Sequence, residues 1–344
     1  MISEILDRYQ KYSPWQLHAT LDEIFVGRVN SLVANASAHG TLEAAPYVAI
    51  TDGLYTALDQ CVVLWENVSR MQAEVLGLMH RSDPSDDDLR EYIEAQIVKR
   101  ELPELTSRLI DLKLFLVDKD PGFLPRYQNR TELFLLSREG VSDVDFGHRK
   151  RRLHLAEGFF IGHELAHILL GHIGSHTKPA AQEYLSRSPA LEITDNASLP
   201  SAHRDEIQAD LTGYREILFA STWEQMRREG FHPLGPDRSQ LGLIVQCADG
   251  IAIAILAMYL LSALGTAPTN VSTHPHPNDR FTALTTMMER QLKKIIATTS
   301  EPDMGTAGRG FFERVSSTPR QVHTIYSRCK GILETALREV THHP

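Results

Sequence analysis

Phe160-Ile-Gly-His163-Glu164-Leu-Ala-His167 sets two histidines around a glutamate in the pattern H-E-x-x-H, inside an apolar run that favours helix. At 3.6 residues per turn the two imidazoles stack on one face, where they can grip a single Zn²⁺, while Glu164 points beside the metal toward a water to be activated. That is hydrolytic chemistry. A catalytic zinc of this kind needs a third protein ligand. Further along, Glu206-Ile-Gln-Ala-Asp210 puts two carboxylates four residues apart on one helical face. Glu206 can complete the ligand set, and Asp210 can accept the free N–H of a ligand histidine and hold its tautomer. In isolation this segment reads as an exposed acidic helix face; beside the histidine motif it reads as part of a metal site. Two His and one Glu favour zinc over other divalent metals.

The third ligand separates the zincin clans. The metzincin pattern requires Gly and His three and six residues after the second histidine, but Leu170 and Ile173 stand there. The three blocks GHELAHILLGH, E-x-x-A-D, and S-T-H-P with Arg280 six residues beyond His274 occur in order. In this the chain resembles the HtpX-like and CAAX-prenyl-protease-like zinc peptidases, which are gluzincins, over roughly residues 45–55 and 155–290. The resemblance implies that His274 and Arg280 lie near the metal. His274 would stabilise the oxyanion or cap the zinc in a resting form, and Arg280 would orient loops or substrate. Tyr214 is the alternative to His274 for holding the oxyanion. The fragment Ala49-Ile-Thr-Asp-Gly53-Leu54 looks like the strand and turn that those enzymes place ahead of the motif helix, where the strand edge pairs with an extended substrate. His276, between two prolines, takes no role from the resemblance, and His172 and His176 read as surface or loop residues. Residues 60–150 form a stretch much longer than those enzymes carry between strand and motif. Their membrane quality-control role is not carried over, because no convincing span accompanies the motif.

The elements that must position these groups follow from periodicity and punctuation. The motif helix is expected over 153–173 with Gly174 as its C-cap, and a second helix over 202–219 after the start signal Pro200-Ser201. The N-terminal forty residues read as mainly helical, with Ile5, Tyr9, Leu17, Leu21, Ile24 and Phe25 loosely at helical spacing. Pro46 to Ile50 is the best strand, closed by Thr51-Asp52-Gly53, with a helix from Leu54. Asp83 to Asp88 reads as a solvated loop and cap, followed by helices over 89–99 and 104–117 and a break over 118–125. The basic run His148 to Arg152 reads as a solvated helix start, and 175–200 as a loop. Gly250 to Gly265 is apolar but shorter than the ~20 residues of a membrane span, so it reads as a buried core helix. A helix to about 296, a linker from 298 to 310 and an amphipathic terminal helix from 318 complete the chain. The expected fold is mainly α (α+β): a zincin-like core with a small sheet beside the active-site helix. Its divisions are 1–60 (helices and substrate-edge strand), 61–150 (helical insertion), 151–297 (catalytic core) and 298–344 (linker and terminal helix).

Hydrophobic residues are 42% and charged residues 23% of the 344, an ordinary globular balance. Lys plus Arg number 35 against 44 Asp plus Glu, and a net charge of -9 argues against nucleic acid as a partner. Cys61, Cys247 and Cys329 are scattered and odd in number, which fits a reducing compartment. The charged, polar N-terminus lacks a signal-peptide core, so the expected location is cytoplasmic. The function expected is a soluble, regulated zinc metalloendopeptidase, with one zinc per chain, cleaving protein or peptide by Glu-assisted attack of zinc-bound water. Two other readings stay open. One is a non-catalytic, zinc-stabilised binding module. The other is a dedicated protease of the Lit type, serving phage exclusion or stress by cutting one partner. Neither the substrate nor the oligomeric state is readable.

Overall fold

The computed structural model describes residues 2–29, 31, 35–41, 44–79, 143–174, 177–189, 191, 201–230, 236–265, 274–298 and 318–342, with scattered helical positions between 95 and 117. The acidic run at 83–88, the break at 118–125, the linker from 299 on, His176, Ser272 and Thr273 lie outside these residues.

The chain opens with α1 (Ile2–Tyr12) and α2 (Trp15–Leu21), which bury Ile5, Tyr9, Leu17 and Leu21. Strands β1 (Phe25–Val29), β2 (Ala36–Thr41) and β3 (Ala44–Thr51) follow. The helical expectation thus stops at Leu21. Phe25 to Val29 is too short to announce a strand alone and becomes one by pairing with β3. The sheet order is β1-β3-β2, with β1 parallel to β3 (Val26 opposite Val48) and β2 antiparallel to it (Ala38 opposite Val48). β3 is the strand expected from Pro46 to Ile50. Its Val48 and Ile50 point into the core while Tyr47 faces out, the period-two pattern of a pleated strand. Pro46 has no N–H for a ladder, and it lies before the β1 pairing starts at Tyr47 and beside the register shift at His39 and Thr41. The Thr51 hydroxyl donates to the Asn35 carbonyl and accepts from the Asn35 N–H, both at 2.8 Å, tying the start of β2 to the end of β3.

Helix α3 (Asp52–Met79) leaves β3 directly, with Asp52 in its first turn paired to Arg28. The motif helix α4 (Asp143–Leu169) begins ten residues before the expected 153. The basic run therefore lies within the helix, not at a solvated start. Arg149 reaches Glu66 of α3 at 2.8 Å, and Arg152 reaches Glu66 and Asp249, each at 3.2 Å. These three ion pairs bind α4 to both of its long neighbours. A short helix, α5 (Pro179–Ser186), stands where a loop was expected, started by Pro179 at its first turn. α6 (Ser201–Thr212) runs on into a π-helical stretch, Gly213–Phe219, and then α7 (Ala220–Arg228).

α8 (Pro236–Ala263) is apolar on every side from Ile251 to Ala257, where its burial is unbroken, and lies in the middle of the molecule. Its helical length exceeds the expected apolar run. Among the described residues, Ser239–Ala263 is the one helix segment long and apolar enough to cross a membrane, and 72% of its most apolar window is buried inside the protein, as in a core helix. At Gly250 the helix meets α4 so closely that a Cβ there would stand 2.6 Å from that of Leu155. α9 (Pro277–Thr298) and α10 (Thr318–His342) complete the helical shell. The architecture is mainly helical with one small sheet, as expected, and one continuous apolar cluster runs from Ile5 to Val340, including Leu105, Leu109 and Leu112. The three cysteines are buried free thiols.

Candidate metal centre

The last turns of α4 carry His163, Glu164 and His167, and α6 crosses behind them carrying Glu206 and Asp210. What lets the helices approach is a pair of glycines. A Cβ on Gly213 would stand 2.7 Å from the Gly162 carbonyl carbon and 2.7 Å from the His163 nitrogen; one on Gly162 would stand 2.9 Å from the Gly213 oxygen. With no side chain at the crossing, Glu206 reaches both histidines.

His163 Nε2 lies 3.1 Å from His167 Nε2, Glu206 Oε2 lies 3.5 Å from the first, and Glu206 Oε1 lies 3.4 Å from the second. A tetrahedral ion with bonds of about 2.0–2.1 Å holds its ligand atoms about 3.3–3.4 Å apart. The two carboxylate oxygens of Glu206 divide between the rings, and with one ligand atom from each residue the three lie within 4.8 Å of one another, so His163, His167 and Glu206 could hold a metal ion. The rings stand edge to face at 87°, and their Nε2 atoms and the Glu206 carboxylate surround the point where an ion could sit.

Each polar group around this point has a partner. His163 Nδ1 lies 2.9 Å from Asp210 Oδ1. Arg280 donates to both oxygens of Asp210, through Nε at 2.7 Å and Nη2 at 2.6 Å. Burial opposes ionisation of Asp210, but the charge and hydrogen bonds of Arg280 outweigh it and hold the carboxyl below its usual range. For Glu206, burial is likewise overcome, here by hydrogen bonds from His163 and His274, and the carboxyl is held well below the ordinary range. Glu164 moves the opposite way: burial raises it, and the Glu206 charge adds to that against the pull of His163 and a hydrogen bond from the backbone of Ala38. On His163 burial works against the charge, yet hydrogen bonding and attraction to Asp210 push the ring up to about 10. On His167 burial and the neighbouring His163 push the ring down to about 3. The facing rings thus divide one proton unequally, and a divalent cation among the Nε2 atoms would take its place.

The centre opens on a cavity of about 790 Å³. One wall is apolar, with Leu54, Phe160, Met258 and Leu261; another is the backbone of Asn35 to Ala38 leading into β2. β2 is thus the sheet edge beside the site. The strand expected to offer its edge to substrate, β3, is hydrogen-bonded on both sides.

His274, 44% exposed at its side chain, sits on the cavity with Nδ1 3.2 Å from Glu206 Oε1. Arg280 lies near the centre and lines the same cavity, 7% exposed, with Nη2 on Asp210 Oδ1 at 2.6 Å and Nη1 3.8 Å from Glu206 Oε2. Tyr214 is not brought to the site: it is fully buried, and its hydroxyl donates to Gln291 Oε1 at 2.7 Å. His276 caps the start of α9, its Nδ1 accepting from the Asn278 N–H at 3.2 Å. His172, expected as a surface or loop residue, lies in the loop just past the helix and is half-buried. It lines the cavity, and its Nδ1 lies 2.9 Å from His167 Nδ1. The signal for it is Gly171, which ends the helix with φ at +77° where Gly174 was expected to do so. The signal for the crossing is a glycine inside each of the two site helices, at a cost of about 1 kcal/mol relative to Ala that close approach explains.

Residues 152–299 match the family model of Peptidase U49. The matched span contains His163, Glu164, His167, Glu206, Asp210, His274 and Arg280. The match supports a peptidase, a hydrolase acting on protein or peptide, without extending to the narrower HtpX-like or CAAX-prenyl-protease-like resemblance. No curated protein and no solved structure matches the chain.

Proposed function

We propose that the chain is a zinc-dependent endopeptidase, with His163, His167 and Glu206 as the metal ligands and Glu164 as the general base. The observation that carries this reading is the cluster of one ligand atom each from His163, His167 and Glu206 within 4.8 Å of one another, the two Nε2 atoms 3.1 Å apart, with Glu164 buried beside them. Zinc in this site supplies Lewis-acid polarisation and lowers the pKa of a water toward ~7.

The chain's own residues do the rest. Glu164 takes a proton from the attacking water onto its carboxylate and returns it to the leaving amine nitrogen; burial raises its pKa toward the range where both transfers proceed. Asp210 accepts from His163 Nδ1–H, which leaves Nε2 free as a donor to metal, and Arg280 holds Asp210 ionised and aimed. His274, exposed at the cavity, turns between Glu206 and the oxygen of the scissile carbonyl. An extended peptide pairs with the β2 edge at Ala36 to Ala38 and seats an apolar side chain against Leu54, Phe160, Met258 and Leu261. Three free buried thiols suit a cytoplasmic setting.

Elemental analysis and cleavage of a peptide library by wild type, Glu164→Gln and Glu206→Ala test the proposal. One zinc per chain in wild type and Glu164→Gln, lost in Glu206→Ala, with cleavage only in wild type, is the expected pattern. Stoichiometric zinc without chelator-sensitive cleavage of any substrate would replace the proposal with a non-catalytic binding module. Cleavage of one cellular protein and not of the library would mark a dedicated protease.

A further inference from the structure

The helix that carries the two histidines stops in a defined way. Gly171, with φ at +77°, donates its N–H to the Ile168 carbonyl at 3.1 Å, and the next residue, His172, donates its N–H to the His167 carbonyl at 2.9 Å. These two bonds make a Schellman motif, in which the residue after the left-handed glycine is folded back over the third residue from the helix end. The side-chain contact in that motif is ordinarily apolar. Here it joins two imidazoles, His172 over His167, with ring centroids 5.1 Å apart and Nδ1 to Nδ1 at 2.9 Å.

The proton on this bond is assigned by what faces the other nitrogens. His167 Nε2 is turned to His163 and Glu206, so for His167 to ligate, its proton sits on Nδ1. That proton can go only to His172 Nδ1 as acceptor, which leaves the proton of neutral His172 on Nε2. Nε2 points to Asp205, 3.8 Å from Oδ1, a separation that one bridging water or a small side-chain turn closes. Asp205 immediately precedes Glu206, so the helix that supplies the third ligand also supplies the outer carboxylate.

We propose that His172 is a positioning residue for His167: the helix-stop motif places it so that it accepts the Nδ1 proton, fixes the ligand's tautomer and ring orientation, and passes polarisation on from Asp205. This rests on the metal-site reading. It gives each ligand histidine its own outer chain, His163 to Asp210 and Arg280 on one side, His167 to His172 and Asp205 on the other. Loss of such an outer partner costs on the order of 10–100-fold in metal affinity.

The test is zinc affinity by chelator competition for full-length wild type, His172→Phe and His172→Asn, with melting of the metal-free proteins measured alongside. Phe keeps an aromatic ring in the contact and removes the acceptor; Asn puts Oδ1 close to the place of Nδ1. The expected result is a zinc Kd raised on the order of 10–100-fold in His172→Phe and largely restored in His172→Asn, with metal-free melting alike in all three. The Co²⁺-loaded proteins should show a changed ligand-field absorption in His172→Phe alone. Should His172→Phe fail to fold, His172→Ala takes its place in the same comparison. Wild-type affinity in the variant lacking the acceptor, or a loss in His172→Asn equal to that in His172→Phe, would overturn the role of His172 while leaving the metal site intact. A wild type that binds no zinc would instead remove the metal-site reading, and this inference with it.

Discussion

Gly213→Ala inserts one methyl group at the crossing of α4 and the π-helical stretch, and the consequence can be worked through in distances. The new Cβ would stand 2.7 Å from the Gly162 carbonyl carbon and from the His163 nitrogen, and 2.8 Å from the Gly162 oxygen. All three are backbone atoms and cannot rotate aside. Ordinary contact begins at 3.4 Å, so the two helices must separate by about 0.7 Å. Glu206 and Asp210 travel with one helix and the histidines with the other. Site geometry has to be held within about 0.5 Å, and bond lengths within about 0.2 Å, for a metal to bind well. Overpacking of this kind costs about 1–3 kcal/mol, and the zinc Kd should rise on the order of tenfold or more through the opened site. Calorimetric melting of the metal-free protein and chelator competition for zinc read the two effects separately. Gly331→Ala is the control: it lies on the exposed face of α10, no heavy atom beyond its own helical turn stands within 4 Å of the added Cβ, and it should stabilise by about 0.5–1 kcal/mol. A Gly213→Ala protein that melts and binds zinc like wild type would refute the claim that this contact sets the ligand register.

Arg280→Met takes both guanidinium donors from the buried carboxylate of Asp210 and leaves it only His163 Nδ1, and loss of one partner of a buried pair costs about 3–5 kcal/mol; urea unfolding should show it, and a loss under 1 kcal/mol would mean that His163 alone supports Asp210. Glu157, buried on α4, has its carboxyl raised by burial to about 7 from 4.5. The fold therefore prefers it neutral, and its contribution is fully present below about pH 4.5 and declines as pH rises to about 7. Glu157→Gln should accordingly raise the melting temperature more at pH 8 than at pH 5, and an equal gain at both would contradict the shift. Chelation should lower the melting temperature of wild type and leave that of Glu206→Ala unmoved, because metal bound only by the folded state adds its binding free energy to stability.

His163, Glu164 and His167 were legible because their geometry is local: one helical turn of sequence is one helical turn of space. The same holds for Pro46 to Ile50, a short apolar run whose closing turn at Thr51-Asp52-Gly53 already marks a strand. The Schellman stop was also local, yet two glycines competed for it, and only the backbone turn at Gly171 selects one and thereby brings the loop residue His172 to the side of His167. β1 and β2 escaped notice because each is short and acquires its hydrogen bonds from β3, at a distance along the chain that periodicity does not sense. That pairing makes β3 the central strand and hands the free edge beside the cavity to β2. Arg280 was placed near the metal by the resemblance, and Tyr214 was offered as the alternative to His274 for the oxyanion. Packing turned the first onto Asp210 and the second toward Gln291. Glu206 stands between these cases: its residue type and its distance from the motif suggested a ligand, but a carboxylate reaches a metal only if two helices approach closely enough. Gly162 and Gly213 permit that approach because neither has a side chain at the crossing, a steric fact that belongs to the pair and is carried by neither helix alone.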